Sequence, residues 1–243
     1  MIDWIISGIE KLFESKGDKT IKKDFVYLEG SKKLFVMIAP YRSDIDIFFR
    51  LERLIHSRGQ SFIAYRFPGD ILTSDYELTK KDFEKIKSDI DLDLKDLKKE
   101  YDFKEIEMLG FSLSCVPTLM IANGNPLINE VELVVPGHCL AESLWFGVRT
   151  DRIRKEFEKK GVILEELKEK WKDLAPKNNV NKLNGKKITI IISEADMVIP
   201  YRFGMKLVKA LEQHNVPFKL IANKRLGHYL TAASFLLHPS KFI

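Results

Sequence analysis

The chain has 243 residues, of which 45% are hydrophobic and 31% charged, and its formal net charge is +5. This composition is typical of one folded α/β domain and excludes a disordered or membrane-embedded chain. No apolar run approaches the roughly 20 residues that span a bilayer. We also expect no secretory signal, because no such pattern opens the sequence. Acidic and basic residues are interleaved, so we expect no nucleic-acid partner.

The chain begins with an amphipathic pattern over residues 1–14. We predict a helix packed on the body of the domain, with docking on a membrane surface as the alternative. The following strands are predicted at residues 25–28, 34–39, 61–65, 106–109, 131–135, 188–192 and 216–222. Helices are predicted at residues 43–58, 78–101, 113–122, 151–160, 164–174, 201–214 and 229–237. Pro217 indicates that the last strand lies at a sheet edge or begins slightly later.

Strands that alternate with helices predict right-handed crossovers and a mostly parallel, doubly wound sheet with helices on both faces. Residues 138–184 carry helical patterns but no strand pattern. We interpret them as a small helical cap inserted into a single α/β domain of residues 1–243. The cap has an apolar side that is formed by Leu140, Leu144, Trp145 and Phe146. This side either lines a substrate pocket or packs the cap against the rest of the domain.

Two cysteines, Cys115 and Cys139, have neither disulfide-framework nor metal-ligand spacing. The sequence therefore predicts a reducing, cytoplasmic compartment and no metal site. Cys115 is interpreted as a small hydrophobic residue of the core. Nothing in the sequence predicts an organic cofactor.

One turn carries the strongest chemical signal. An apolar strand pattern breaks at Gly110, places Ser112 on the turn and continues at helical spacing. Strand, tight turn and helix form the context in which a small-x-Ser-x-small pattern carries a nucleophile. The small residues Gly110 and Ser114 let strand and helix approach each other. The alternative for Ser112 is an ordinary helix N-cap.

A serine hydroxyl is a poor nucleophile unless a base activates it and a third group orients that base. Asp196 follows one predicted strand and His228 follows the last one. Functional groups gather at the carboxyl ends of parallel strands, so we predict that Ser112, Asp196 and His228 meet. His228 would take the proton from Ser112, and Asp196 would hold the imidazole in the required tautomer.

Each of these assignments has an alternative. Asp196 could cap the helix near Pro200, which would make Glu194 the substitute acid. His138 is the rival base, although its position suits the cap better. Ser114 and Cys115 point along the helix and are weaker candidates for the nucleophile. Arg42 and Arg66 lie on predicted crevice loops. They could bind an anionic substrate or be solvated.

Together these motifs resemble the α/β-hydrolase superfamily, over most of the chain from about Leu34 onward. Residues 110–114 (GFSLS) match the nucleophile elbow, residues 196–200 (DMVIP) the acid loop, and Gly227-His228 the histidine loop. The chain order Ser, Asp, His is the one expected of these hydrolases. The resemblance implies a serine hydrolase that cleaves a small-molecule carboxylic ester through an acyl-enzyme. The apolar cap residues Leu140, Trp145 and Phe146 would contact the substrate.

The sequence departs from the family pattern at three places. Ser114 stands where the family usually has glycine, and the start of the sheet leaves little room for the first hairpin. Ala39-Pro40 replaces the His-Gly pair common after the oxyanion-hole strand. The oxyanion needs two backbone N–H donors. Leu113 would supply one and, because Pro40 has no N–H, Tyr41 would supply the other.

Two other functions stay open at this stage. A thioesterase, peptidase or acyltransferase would use the same triad with a different leaving group or acceptor. A binding protein could have kept the fold without catalysis, which the Ala39-Pro40 pair and the short start of the sheet both allow. The sequence leaves the acyl-chain length and the oligomeric state open.

Overall fold

The structure, a computed structural model, describes residues 22–41, 43, 49–67 and 71–237. The predicted helix at residues 1–14 lies outside these residues, as does Arg42. Eight α-helices occur in the described ranges: α1 (Phe49–Ser57), α2 (Tyr76–Tyr101), α3 (Cys115–Ala122), α4 (Leu140–Phe146), α5 (Asp151–Lys159), α6 (Leu164–Lys170), α7 (Tyr201–Gln213) and α8 (His228–Leu237). Across the described part of the chain, no helix is both long enough and apolar enough to pass through a membrane.

Seven described strands form one sheet, in the order β1-β3-β2-β4-β5-β6-β7. They are β1 (Lys22–Val26), β2 (Lys33–Ile38), β3 (Ser61–Arg66), β4 (Glu105–Phe111), β5 (Glu130–Val134), β6 (Lys187–Ser193) and β7 (Lys219–Asn223). Strand β1 pairs antiparallel to β3, and every other pair is parallel. The predicted mostly parallel sheet is therefore confirmed.

The continuous apolar run of β2 is explained by burial on both faces of the sheet. Val36 and Ile38 belong to the core under α2, α3 and α7, whereas Phe35 and Met37 belong to the core under α1 and α8. All four side chains are almost completely buried. The sheet is thus doubly wound, with helices on each face.

The final strand occupies one edge of the sheet and begins at Lys219, two residues after Pro217. Proline lacks the N–H that a strand ladder needs, and this accounts for the late start. Residues 138–184 contain α4, α5 and α6 and no strand. Only α5 and α6 were predicted as helices, because α4 is a short element of seven residues.

Two buried carboxyl groups interrupt the apolar pattern of neighbouring strands. Glu107 on β4 and Glu132 on β5 are at most 9% exposed, and each has one carboxyl oxygen without a hydrogen-bond partner among the described residues. Burial, together with the charges of Glu107 and Glu130, raises the pKa of Glu132 to about 8. Burial also raises the pKa of Glu107 to about 7. Folding therefore shifts both groups toward the protonated form.

This burial predicts a stability that falls as the pH rises. A carboxyl group whose pKa is raised by folding costs nothing below its unfolded pKa, near 4.5, and destabilises the fold progressively up to its folded pKa. Between pH 5 and pH 9 the wild type should lose about 4 kcal/mol of unfolding free energy through this group, since about three pH units at 1.36 kcal/mol each lie between pH 5 and its folded pKa. Glu132→Gln should not show this loss. Urea unfolding at several pH values measures this. The control is Glu105→Gln, an exposed carboxylate paired with Lys33. Parallel curves for the wild type and Glu132→Gln would contradict the prediction.

Candidate active site

The turn between β4 and α3 is sharp. Ser112 has a φ of +51°, in the left-handed region that residues other than glycine rarely adopt. A Cβ atom on Gly110 would lie 2.5 Å from Thr118 Oγ1 and 3.0 Å from Cys115 Cα. Only glycine fits at this position, because the first turn of α3 lies directly against the end of β4. The turn places Ser112 at the carboxyl edge of the sheet.

The Ser112 hydroxyl meets the two other predicted side chains in a row. Its Oγ lies 3.0 Å from His228 Nε2, and His228 Nδ1 lies 2.7 Å from Asp196 Oδ2. The imidazole and the carboxylate are both buried. The Ser112 hydroxyl therefore contacts the His228 imidazole. A serine that served only as a helix N-cap would not need this contact.

Backbone groups hold the acid in place. Asp196 Oδ1 accepts hydrogen bonds from the Val198 and Ile199 N–H groups, each at 2.8 Å. These bonds lie in the loop before α7, which begins at Tyr201. One carboxylate oxygen is thus used to order the loop, and the other faces His228.

A second set of bonds shapes the histidine loop. Asn223 Oδ1 accepts from the N–H groups of Arg225 and Leu226, an Asx-type turn at the end of β7. The Ser193 hydroxyl contacts the Leu226 carbonyl from the end of β6. The Thr231 N–H donates to the Gly227 carbonyl, and this hydrogen bond lies at the start of α8. His228 is therefore positioned as the first residue of a helix that starts from an ordered turn.

The alternative base and acid lie elsewhere. His138 is buried, and its Nε2 lies 3.3 Å from Glu142 Oε2. Burial lowers the pKa of His138 to about 4, so this imidazole is neutral at pH 7. Its neighbours Gly137 and Cys139 line the cavity beside Ser112, but His138 does not. Glu194 is exposed, and the structure places Asp196 against the imidazole instead.

The alternative nucleophiles are enclosed. Ser114 and Cys115 are both fully buried, and neither lines the cavity beside Ser112. Burial raises the pKa of the Cys115 thiol, so the reactive thiolate is disfavoured.

A cavity of about 260 Å³ opens beside Ser112 and His228. Most of its lining is apolar, including Leu72, Val116, Leu140, Leu144, Ile153 and Ile199. Arg149 and Tyr229 also line it, and Arg149 Nη1 donates to the Tyr229 hydroxyl at 2.7 Å. Among its described lining residues there is no carboxylate. The cavity therefore suits a largely apolar group next to Ser112.

Of the three predicted substrate contacts, the structure places Leu140 in the cavity lining and Trp145 and Phe146 outside it. Phe146 is half-exposed and packs near the Phe203 ring, and Trp145 packs against the core. The helical period explains the difference, because residues three, four and seven positions apart share one face. Ser143, Leu144 and Gly147 accordingly line the cavity with Leu140. Leu144 was predicted on the apolar side of the cap, and this periodicity was the available signal for Ser143 and Gly147, which the sequence prediction missed.

The predicted oxyanion donors border the same cavity. Tyr41, Leu113 and Pro40 all line it. The loop that carries Tyr41 is anchored on both sides, since the Ala39 N–H donates to the Tyr65 carbonyl and the Pro40 carbonyl accepts from Ser43 N and Oγ. By contrast, Arg66 is buried at the end of β3 and does not line the cavity.

This sheet and its crossovers define the α/β-hydrolase fold. An esterase from Pyrococcus furiosus matches with a TM-score of 0.61 and 15% identity, over 94% of this chain and 93% of the esterase. Est1E from Butyrivibrio proteoclasticus matches with a TM-score of 0.56 and 14% identity, over 91% and 94% of the two chains. No protein-family profile matches the sequence, and no curated protein matches it. At these identities the likeness establishes the fold.

A longer protein is also similar. The acylaminoacyl peptidase of Pyrococcus horikoshii matches with a TM-score of 0.66 and 14% identity, over 91% of this chain but only 37% of the peptidase. This chain therefore corresponds to one part of that protein.

Proposed function

We propose that the protein is a serine hydrolase that cleaves carboxylic esters through an acyl-enzyme intermediate, with Ser112, His228 and Asp196 as its triad. The observation that carries the proposal is the unbroken row of contacts from Ser112 Oγ through both imidazole nitrogens to Asp196 Oδ2, at 3.0 and 2.7 Å. Both distances are within hydrogen-bond reach.

The reaction begins when His228 Nε2 takes the hydroxyl proton as Ser112 Oγ attacks the ester carbonyl carbon. Asp196 stabilises the imidazolium that forms. The tetrahedral oxyanion accepts hydrogen bonds from the backbone N–H groups of Leu113 and Tyr41. His228 then returns the proton to the leaving alcohol as the carbon–oxygen bond breaks. Water, deprotonated by His228, attacks the acyl-enzyme, and collapse of the second intermediate releases the acid and restores the Ser112 hydroxyl.

The cavity favours a modest apolar group on the substrate. Its volume of about 260 Å³ exceeds that of a roughly 150 Å³ cavity that holds benzene. It falls below the range of roughly 300–1,000 Å³ that accommodates drug-sized ligands. An ester with a short or medium acyl or alkyl group fits this space, and removal of that group from water contributes to binding.

A peptidase is the second candidate, because the structural similarity extends to an acylaminoacyl peptidase. The same triad would protonate an amine leaving group in place of an alcohol. A panel of p-nitrophenyl esters, acyl-CoA thioesters and aminoacyl amides distinguishes these activities, since only the leaving group changes. We expect the highest kcat/KM with the esters.

A fluorophosphonate probe tests the proposal directly. We expect it to label the wild type at one site per chain and to leave Ser112→Ala unlabelled, because the probe reacts only with an activated serine. Ser143→Ala is the matched control: Ser143 lines the same cavity and should be dispensable for labelling. An unlabelled wild type would support a non-catalytic binding protein, and a labelled Ser112→Ala would place the nucleophile elsewhere.

A further inference from the structure

The side chain of Ser114 makes a connection that a glycine at this position could not make. Its Oγ lies 2.6 Å from the Phe111 nitrogen, 2.7 Å from the Ile38 carbonyl oxygen and 2.9 Å from the Phe111 carbonyl oxygen. A hydroxyl has one hydrogen to donate and two lone pairs to accept with. It therefore accepts from the Phe111 N–H and donates its hydrogen to one of the two carbonyls, of which that of Ile38 is the closer. Ser114 is fully buried, so water does not compete for these bonds.

The two bridged residues lie directly before the segments that carry the proposed oxyanion donors. Ile38 is the last residue of β2 and is followed by Ala39, Pro40 and Tyr41. Phe111 is the last residue of β4 and is followed by Ser112 and Leu113. The strands are parallel neighbours whose ladder pairs Ile38 with Gly110. The Ser114 hydroxyl therefore extends the connection between β2 and β4 to the ends of these two strands, where the backbone leaves the sheet.

We propose that Ser114 is a positioning residue whose hydroxyl sets the separation between the Leu113 and Tyr41 N–H groups. This inference rests on the proposed function, because it concerns the oxyanion of that reaction. Oxyanion donors act at 2.7–3.1 Å from the developing charge, and a displacement of about 1 Å from the productive geometry can cost about 10²-fold in rate. Pro40 has no N–H, so the donor must come from Tyr41, one residue farther from the ladder. The Ser114 bond to the Ile38 carbonyl adds to the anchors at Ala39 and Pro40 that hold this donor.

The test compares Ser114→Ala and Ser114→Gly with the wild type on a p-nitrophenyl ester. We expect kcat to fall 10- to 100-fold with KM changed less than threefold, because the donors bind the charge that develops in the transition state. An alkylboronic acid forms a tetrahedral adduct with an activated serine, with an oxygen in the oxyanion position. We expect its inhibition constant to rise by a similar factor, while a non-hydrolysable amide of the same acyl group binds as before.

Thr118→Val is the matched control. Thr118 is also fully buried, and its hydroxyl donates at 2.8 Å to the Ser114 carbonyl, within the same elbow. Because this bond does not reach β2, its loss should lower the melting temperature without changing kcat or boronate inhibition by more than threefold. The control separates a general loss of stability from a loss of donor geometry.

Kinetic constants within threefold of the wild type in both Ser114 variants, at a temperature where circular dichroism shows them folded, would overturn the inference and leave the proposed function intact. A lower melting temperature alone, or a raised KM with unchanged kcat, would also overturn it. If Ser114→Ala does not fold, Ser114→Gly carries the test, because glycine fits a tight strand-to-helix turn without steric cost. A wild type without turnover or probe labelling would refute the proposed function and with it this inference.

Discussion

Replacing His228 with alanine is expected to lower kcat for ester hydrolysis by about 10⁴- to 10⁶-fold, since changing one member of a serine hydrolase triad costs about this much. The imidazole is the group within hydrogen-bond distance of the Ser112 hydroxyl, at 3.0 Å. Without it, the attacking hydroxyl keeps its proton and the leaving alcohol receives none. Steady-state kinetics on a p-nitrophenyl ester measures the loss, and circular dichroism verifies that the fold is retained.

His138→Gln is the control for this variant. It changes a second buried histidine near the cavity, one that contacts Glu142 and not Ser112. We expect its kcat to stay within tenfold of the wild type. Normal turnover in His228→Ala, or a larger loss in His138→Gln than in His228→Ala, would remove His228 from the role of base.

For Asp196→Asn we expect a loss of about 10⁴-fold in kcat, with the loop and the stability largely preserved. The asparagine oxygen can still accept from the Val198 and Ile199 N–H groups, as Asp196 Oδ1 does. Its NH₂ group would then face His228 Nδ1 and donate to it. The imidazole would carry its hydrogen on Nε2, so it could not accept the proton of Ser112. Parallel kinetics and thermal unfolding distinguish a wrong tautomer from a broken loop.

Glu194→Gln provides the comparison for the acid. Glu194 is two residues earlier on the same loop and is exposed, so the change should leave kcat within threefold of the wild type. The assignment of Asp196 is contradicted if Asp196→Asn retains normal turnover, or if Glu194→Gln loses activity while Asp196→Asn does not.

Much of the architecture was predictable because each element carries its own local signal. The unbroken apolar run of β2 indicated a strand covered on both faces, and Val36 and Phe35 indeed belong to opposite cores. Pro217 predicted a sheet-edge position or a late start for the last strand, and β7 shows both. These signals depend on side-chain period and on backbone donors, which are properties of a few consecutive residues.

Other features escaped the sequence because they depend on partners far along the chain. Glu107 and Glu132 look like ordinary polar positions, and only the pairing of β4 with β5 and the covering of that face bury them. The apolar residues of α4 were predicted to share one side that either lines the pocket or packs the cap down. The helix instead directs Leu140 and Leu144 to the cavity and Trp145 to the core, and it leaves Phe146 half-exposed. Ser114 looked like a tolerated substitute for glycine, and its contact with Ile38 crosses 76 positions of sequence.

The sequence by itself determined the strand–turn–helix around Ser112 and the order in which serine, aspartate and histidine follow their strands, because turn chemistry and hydrophobic period are encoded within short segments. The tertiary structure alone decided that these side chains touch. Ser112 and His228 are 116 positions apart, and His228 and Asp196 are 32 apart. Their distances depend on the order and register of the strands from β4 to β7, which arise from packing of the whole sheet and from no single stretch of residues.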